Sequence, residues 1–136
     1  MRNRVVCDTN ILISALVFPG GRPDEILKLA RIGEIDFYIS PFIVDEFERV
    51  LKEKFQYSKN EVKQRSERIT SISTLIEPSE RITVIDEDES DNCILECAVA
   101  AKAGFIISGD KHLLALKELG SIKIVSASEF LKLHIK

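Results

Sequence analysis

Residues 5–18 of the chain read VVCDTNILISALVF. Val5 to Cys7 has the β-branched, apolar character of a buried strand, and it ends in Asp8. A second apolar run, Ile11 to Phe18, begins after only Thr9 and Asn10. A carboxylate is costly to bury without a partner, so Asp8 belongs where the two apolar segments emerge together. The economical solution is a strand that delivers Asp8 to the edge of a sheet, followed by a helix that turns its own apolar residues back onto that sheet.

The rest of the chain repeats this unit. Strand candidates lie at Arg4 to Cys7, Asp36 to Ile39 (DFYI), Ile82 to Ile85 (ITVI), Phe105 to Ile107 (FII) and Lys123 to Val125 (KIV). They are short and several lack in/out alternation, which is what burial on both faces of a parallel sheet produces. Between them run punctuated helical patterns. Pro23 with Asp24 and Glu25 reads as a first turn with proline at its first position, and Gly33 as its stop. Ser40-Pro41 opens the next helix, whose apolar stripe is Val44, Phe47, Val50, Leu51 and Phe55. Ser58 with Glu61 makes a capping-box pattern for a further helix ending before Pro78, which carries Val62, Ile69, Ile72 and Ile76 inward. Ser90 can cap a helix running to Gly104, and Ser126 with Glu129 repeats the capping-box spacing. The expected architecture is α/β, a three-layer α/β/α sandwich around a mostly parallel sheet of about five strands, with an extra helix or helical hairpin before the third.

At 136 residues the chain suits one domain, residues 1–136, without repeats or a linker. The net charge of −3 argues against a general nucleic-acid coat protein, though not against an enzyme that grips nucleic acid locally. Basic residues gather from Arg49 to Arg68, but Glu48, Glu53, Glu61 and Glu67 alternate with them, the pattern of a solvated helix face with ion pairs one turn apart. Cys7, Cys93 and Cys97 are odd in number and lack metal-ligand spacing, so they read as small buried hydrophobes in a reducing compartment. Asp8, Asn10 and Ser14 interrupt any signal-peptide core, and no segment is long or apolar enough to span a membrane. A cytoplasmic location is expected.

A parallel sheet gives the acids a common address, because its strands all end on one edge. Asp8 follows the first strand, Glu46 lies in the early turns of the helix after the second, Asp91 begins the helix after the third, and Asp110 follows the fourth. Singly, each has an ordinary explanation: Asp8 or Asp91 as a helix cap, Asp110 as a turn residue, Glu46 as surface. Jointly they load one rim with negative charge. Two carboxylates about 4 Å apart repel by roughly 4 kcal/mol at an effective dielectric near 20. Protonation, a lysine such as Lys111, or a divalent cation could neutralise them. An all-carboxylate donor set, without cysteine or a histidine pair, suits Mg²⁺ or Mn²⁺ better than Zn²⁺, and such ions commonly take phosphate oxygens as further ligands. Metal-assisted hydrolysis of a phosphodiester is the chemistry this suggests.

VVCDTNILISAL at the start, SPFIVDEF in the middle and DNCILECAVAAKAGFIISGDKHLL near the end resemble the PIN domain, in particular the PIN-family toxins of toxin–antitoxin systems. The resemblance covers nearly the whole chain, with the motifs in family order. It implies a Mg²⁺- or Mn²⁺-dependent ribonuclease that leaves 5′-phosphate and 3′-hydroxyl ends. Its acidic site falls on Asp8, Glu46, Asp91 and Asp110, all four implied as catalytic and metal-binding. Ser108 matches the family's small polar residue two positions before the last acid, and Asn10 the polar residue after the first; both are expected to support the acids. Asp88 competes with Asp91 for the third role. One position departs from the pattern: many relatives carry a further acid where this chain has His112. The resemblance also implies an RNA substrate, a homodimer, and a small antitoxin partner whose segment lies over the acidic groove.

Other readings stay open beside it. A phosphoaspartyl phosphatase would place its second acid where Asn10 stands, and a phospho-receiver domain would need paired acids after the first strand. A PIN fold kept as a binding module, with weak or no catalysis, could retain every acid.

Overall fold

A computed structural model describes residues 2–84 and 89–134. In chain order the elements are β1 (Asn3–Cys7), α1 (Thr9–Val17), α2 (Arg22–Arg31), β2 (Ile35–Ile39), α3 (Pro41–Glu53), α4 (Lys59–Ser71) and β3 (Thr74–Leu75). There follow α5 (Glu89–Ala101), β4 (Phe105–Ile107), α6 (Lys111–Leu116), β5 (Glu118–Leu119), β6 (Ile122–Val125) and α7 (Ala127–His134). The strands form one sheet in the order β3-β2-β1-β4-β6-β5, parallel throughout except for the β5–β6 pair. This is the expected α/β sandwich, with six strands. Val5, Val6 and Cys7 are buried in succession, as a strand covered on both faces requires. None of the helices formed by the described residues is long and apolar enough to cross a membrane.

The strand order reverses beside β1. Connections through α1–α2 and α3–α4 carry the chain outward to β2 and β3, and α5 then returns it to β4 on the other side of β1. Right-handed crossovers put helices made before and after such a reversal on opposite faces, so the loops after β1 and β4 diverge and leave a crevice between them. Asp8 and Asp110 lie in those two loops.

The third strand is not where its composition put it. Residues 82–84 form no strand, and Ile85, like Asp86, Glu87 and Asp88, lies outside the described residues. The strand is instead β3, which pairs Tyr38 with Thr74 and Ile39 with Leu75, while Ile76 N–H donates to the Ile39 carbonyl at 2.8 Å. α4 ends close enough to deliver Thr74 to the free edge of β2 after a single tight turn. Ile82 N–H goes to Glu96 Oε2 on α5 at 2.9 Å, which ties Ile82 to that helix rather than to a strand. A further strand, β5, is only two residues long and so carries no sequence pattern; it folds back on β6 through Gly120 at φ +59°, a left-handed turn position that glycine fills without strain.

Helix signals fared better than strand boundaries. Ser58 Oγ accepts from Glu61 N–H and Glu61 Oε1 accepts from Ser58 N–H, completing the box, and Ser126 with Glu129 does the same. Ser40 caps α3 by accepting from Ile43 N–H at 3.3 Å. Gly33, at φ +79°, follows the end of α2 as expected. Pro23 sits second rather than first in that helix, after the Gly21 cap, and α5 starts at Glu89, so Ser90 lies within its first turn instead of capping it. The α3 stripe buries Phe47, Val50 and Leu51, but the helix stops at Glu53 and Phe55 is left 41% exposed.

The core closes around Leu12, Ile43, Phe47, Leu95, Ile106 and Phe130. Cys7 and Cys97 are buried in it as small hydrophobes, and Cys93 is half-buried. Burial pushes all three thiols up, that of Cys97 to about 12, so none is prepared to act as a thiolate nucleophile.

Candidate active site

Asp8 is the residue with which β1 becomes α1. As the helix cap it accepts the Ile11 N–H on Oδ1 at 2.9 Å, so the capping explanation is correct as far as it goes. Its other oxygen, Oδ2, accepts from the hydroxyl of Ser108, which is fully buried at the end of β4. The same Ser108 oxygen accepts Asp110 N–H at 2.9 Å. Ser108 thereby fastens the loop after β1 to the loop after β4, across the point where the strand order reverses. Asp110 in turn caps α6, accepting His112 and Leu113 N–H groups on Oδ1 at 2.8 and 3.2 Å.

Glu46 comes from the second turn of α3. The buried Thr9 hydroxyl donates to its Oε1 at 2.6 Å, and Arg49 Nη2 lies 3.8 Å from its Oε2. Asp91 is buried in the first turn of α5. Asp8, Glu46, Asp91 and Asp110 all line one cleft of about 180 Å³, with Arg49 and Lys54 on its wall. Asn10 lines it too, as an exposed residue, whereas Ser108 acts from behind through Asp8.

Four separate elements thus bring their acids to one place. Among the described residues, however, no three histidine, cysteine, aspartate or glutamate side chains stand close enough to form a ready metal cage. The local bonds explain the spacing: Asp8 and Asp110 each commit an oxygen to a helix N-terminus, Glu46 is tied to Thr9, and carboxylate repulsion opposes closer approach. In donor chemistry the cleft fits a hard divalent cation, since its wall offers carboxylate oxygens and neither thiolate nor imidazole. Asp88, the competitor of Asp91, lies outside the described residues. His112 is exposed, and His134 stacks on Phe130 in α7 without lining the cleft.

Burial holds the Asp8 carboxyl above its ordinary range, and the nearby Asp110 adds to this; the Ser108 hydroxyl and Ile11 N–H pull the other way without cancelling it. The folded chain therefore binds that proton more tightly than the unfolded chain does. From the ordinary carboxylate pKa upward, stability falls as pH rises toward the folded value, and the loss persists above it. Asp8→Asn should accordingly raise the melting temperature of the metal-free protein at pH 7, and the gain should shrink as pH is lowered toward about 4. Thermal melts in EDTA across that range test this, and an unchanged or lower melting temperature at pH 7 contradicts it.

The sequence reads Arg49 and Lys54 as part of a solvated basic helix face rather than as site residues, and assigns Thr9 no role. Thr9 follows Asp8 directly, and Arg49 stands one helical turn after Glu46, so both had a local signal. Lys54 had none, because no acid lies three or four residues before it.

A larger cleft of about 570 Å³ opens elsewhere among α1, α2, α3 and α4. Leu12, Leu16, Phe47 and Ile69 make its walls apolar, and Arg31 and Arg68 are among its charged residues. None of the four acids lines it.

Comparison with known proteins agrees with this fold. The family profile described as PIN domain matches residues 4–112. An uncharacterised protein of Methanocaldococcus jannaschii is 36% identical over 119 residues, covering 85% of this chain and 76% of that protein. Among solved structures, a chain of VapBC2 from Rickettsia felis, crystallised with a DNA fragment from its promoter, superposes with a TM-score of 0.66. It covers 89% of this chain and 96% of its own, at 16% identity, and so speaks to the fold alone.

Proposed function

Because this chain belongs to the PIN domain family, we propose that it is a divalent-metal-dependent endoribonuclease, the toxin of a toxin–antitoxin pair, acting in the cytoplasm as one nuclease domain. The observation that carries this reading is the convergence of four carboxylates, from four elements, on one cleft at the switch point of a parallel sheet. Asp8, Asp91 and Asp110 would hold Mg²⁺ or Mn²⁺, with Glu46 completing the set. Bound there, the ion supplies a water of lowered pKa and charge to stabilise the phosphoryl oxygens.

The chain's own residues supply the placement. Ser108 fixes the Asp8 carboxylate and the Asp110 backbone in one arrangement, so the two acids face a substrate as a rigid pair. Thr9 holds Glu46 toward the same cleft from α1, and Asn10 stands on its exposed lip. For the partner, a small antitoxin whose segment lies over the acidic groove, the 570 Å³ cleft provides a second, apolar seat with arginines around it, which suits an amphipathic stretch carrying carboxylates. The active form is read as a homodimer.

The test is incubation of the purified protein with single-stranded RNA in Mn²⁺ or Mg²⁺. Cleavage is expected with either metal, is abolished by EDTA and returns on adding excess metal. Cleavage that persists undiminished in EDTA would contradict the assignment.

A further inference from the structure

The acidic cleft is not uniformly acidic. Arg49 and Lys54 are the basic side chains on its wall, Arg49 from the C-terminal half of α3 and Lys54 from the residue that caps its C-terminus. The acids come from the loops after β1 and β4, the first turn of α5, and the N-terminal half of α3. The cations of the cleft thus lie to one side of the acids, toward the C-terminal end of α3.

The two cations differ in how they are held. Arg49 contacts Glu53 at 3.2 Å and Glu46 at 3.8 Å, with its side chain about half exposed. The Glu53 pair is exposed on both sides and therefore weak, so exchanging it for a phosphate costs little. Lys54 makes no ion pair with any described residue. An ordinary solvated face pairs its lysines one turn apart, and Lys54 has Val50 at that position.

Resting on the ribonuclease reading above, we propose that Arg49 and Lys54 are substrate-binding residues that grip a phosphate of the RNA backbone beside the scissile one. A single strand then leaves the acids along the C-terminal half of α3. A phosphodiester chain carries one charge per nucleotide, whereas a cation held by the acids would serve only the phosphate being cut. Neighbouring phosphates need donors of their own, and at this cleft α3 supplies them. Arg49 offers a planar fork and Lys54 a compact charge on a flexible stem.

The test compares wild type with Arg49→Ala, Lys54→Ala, the double variant, and Lys117→Ala, which does not line the cleft, as a control, on a fluorescent single-stranded RNA. Cleavage is followed in Mn²⁺ and binding in EDTA as salt is varied. Each single change should raise KM several-fold with kcat little altered, and should lower the slope of log affinity against log salt by about 0.7 per lost phosphate contact. Lys117→Ala should change neither, and melting temperatures should stay together. Unaltered KM and salt slope in the double variant, with wild type cleaving normally, would overturn the assignment of these two residues and leave the ribonuclease reading standing. If wild type binds without cleaving, the salt slope alone decides for or against them. Wild type that neither binds nor cleaves RNA defeats the ribonuclease reading and this one with it.

Discussion

Asp8→Asn should lower metal-dependent RNA cleavage by at least about 100-fold, a loss of roughly 2.7 kcal/mol or more in transition-state stabilisation. The substitution keeps the shape of the side chain and the oxygen that accepts Ile11 N–H, so α1 remains capped. What it removes is the oxygen that accepts the Ser108 hydroxyl and, with it, a buried negative charge on the cleft wall at the end of the central strand, where a hard cation would bind. Activity and stability should therefore move in opposite directions: cleavage falls, while the metal-free protein melts higher at neutral pH, as argued from the raised Asp8 pKa. That opposition separates loss of chemistry from loss of fold. Titration with Mn²⁺ should also show weaker stabilisation of the variant than of wild type. Cleavage within a few-fold of wild type would remove Asp8 from the proposed site.

Phe47→Ala should cost about 3–5 kcal/mol, a large part of the 5–15 kcal/mol that typically separates folded from unfolded domains. Phe47 is 1% exposed, next to Glu46 on α3, and also walls the larger cleft. Removing its ring leaves a void between α3 and its neighbours that so tightly surrounded a site cannot refill. Phe55→Ala, in the same apolar stripe of sequence, should stay within about 0.5 kcal/mol, because α3 has ended and the ring is 41% exposed. Urea denaturation of both variants measures the difference. Equal losses would mean that Phe55 is as buried as the periodicity of α3 suggested.

The pair shows where sequence reading succeeds and where it stops. Val5 to Cys7 could be read as a strand because its burial is encoded in consecutive apolar residues, and both capping boxes could be read because each joins groups three positions apart. Thr74–Leu75 could not, since two exposed residues carry no hydrophobic pattern; they form a strand only because β2 has a free edge at the place where α4 lets the chain go. In ITVI, with the better composition, Ile82 bonds to Glu96 instead. Lys54 shows the same limit in the site: nothing near it in sequence relates it to the acids, yet it shares their cleft.

The sequence by itself determined that strands and helices alternate, that the first strand ends in Asp8, and that Asp8, Glu46, Asp91 and Asp110 lie near strand ends and helix starts. Those properties are local, written in side-chain period and in caps one turn long. Only the tertiary structure decided that the strand order reverses between β1 and β4, that Ser108 ties Asp8 to the Asp110 backbone across 100 residues of chain, that Thr9 reaches Glu46, and that two cations stand beside the acids. These contacts depend on which strands become neighbours. That choice is made by the burial of both sheet faces at once, a property of the whole chain rather than of any segment.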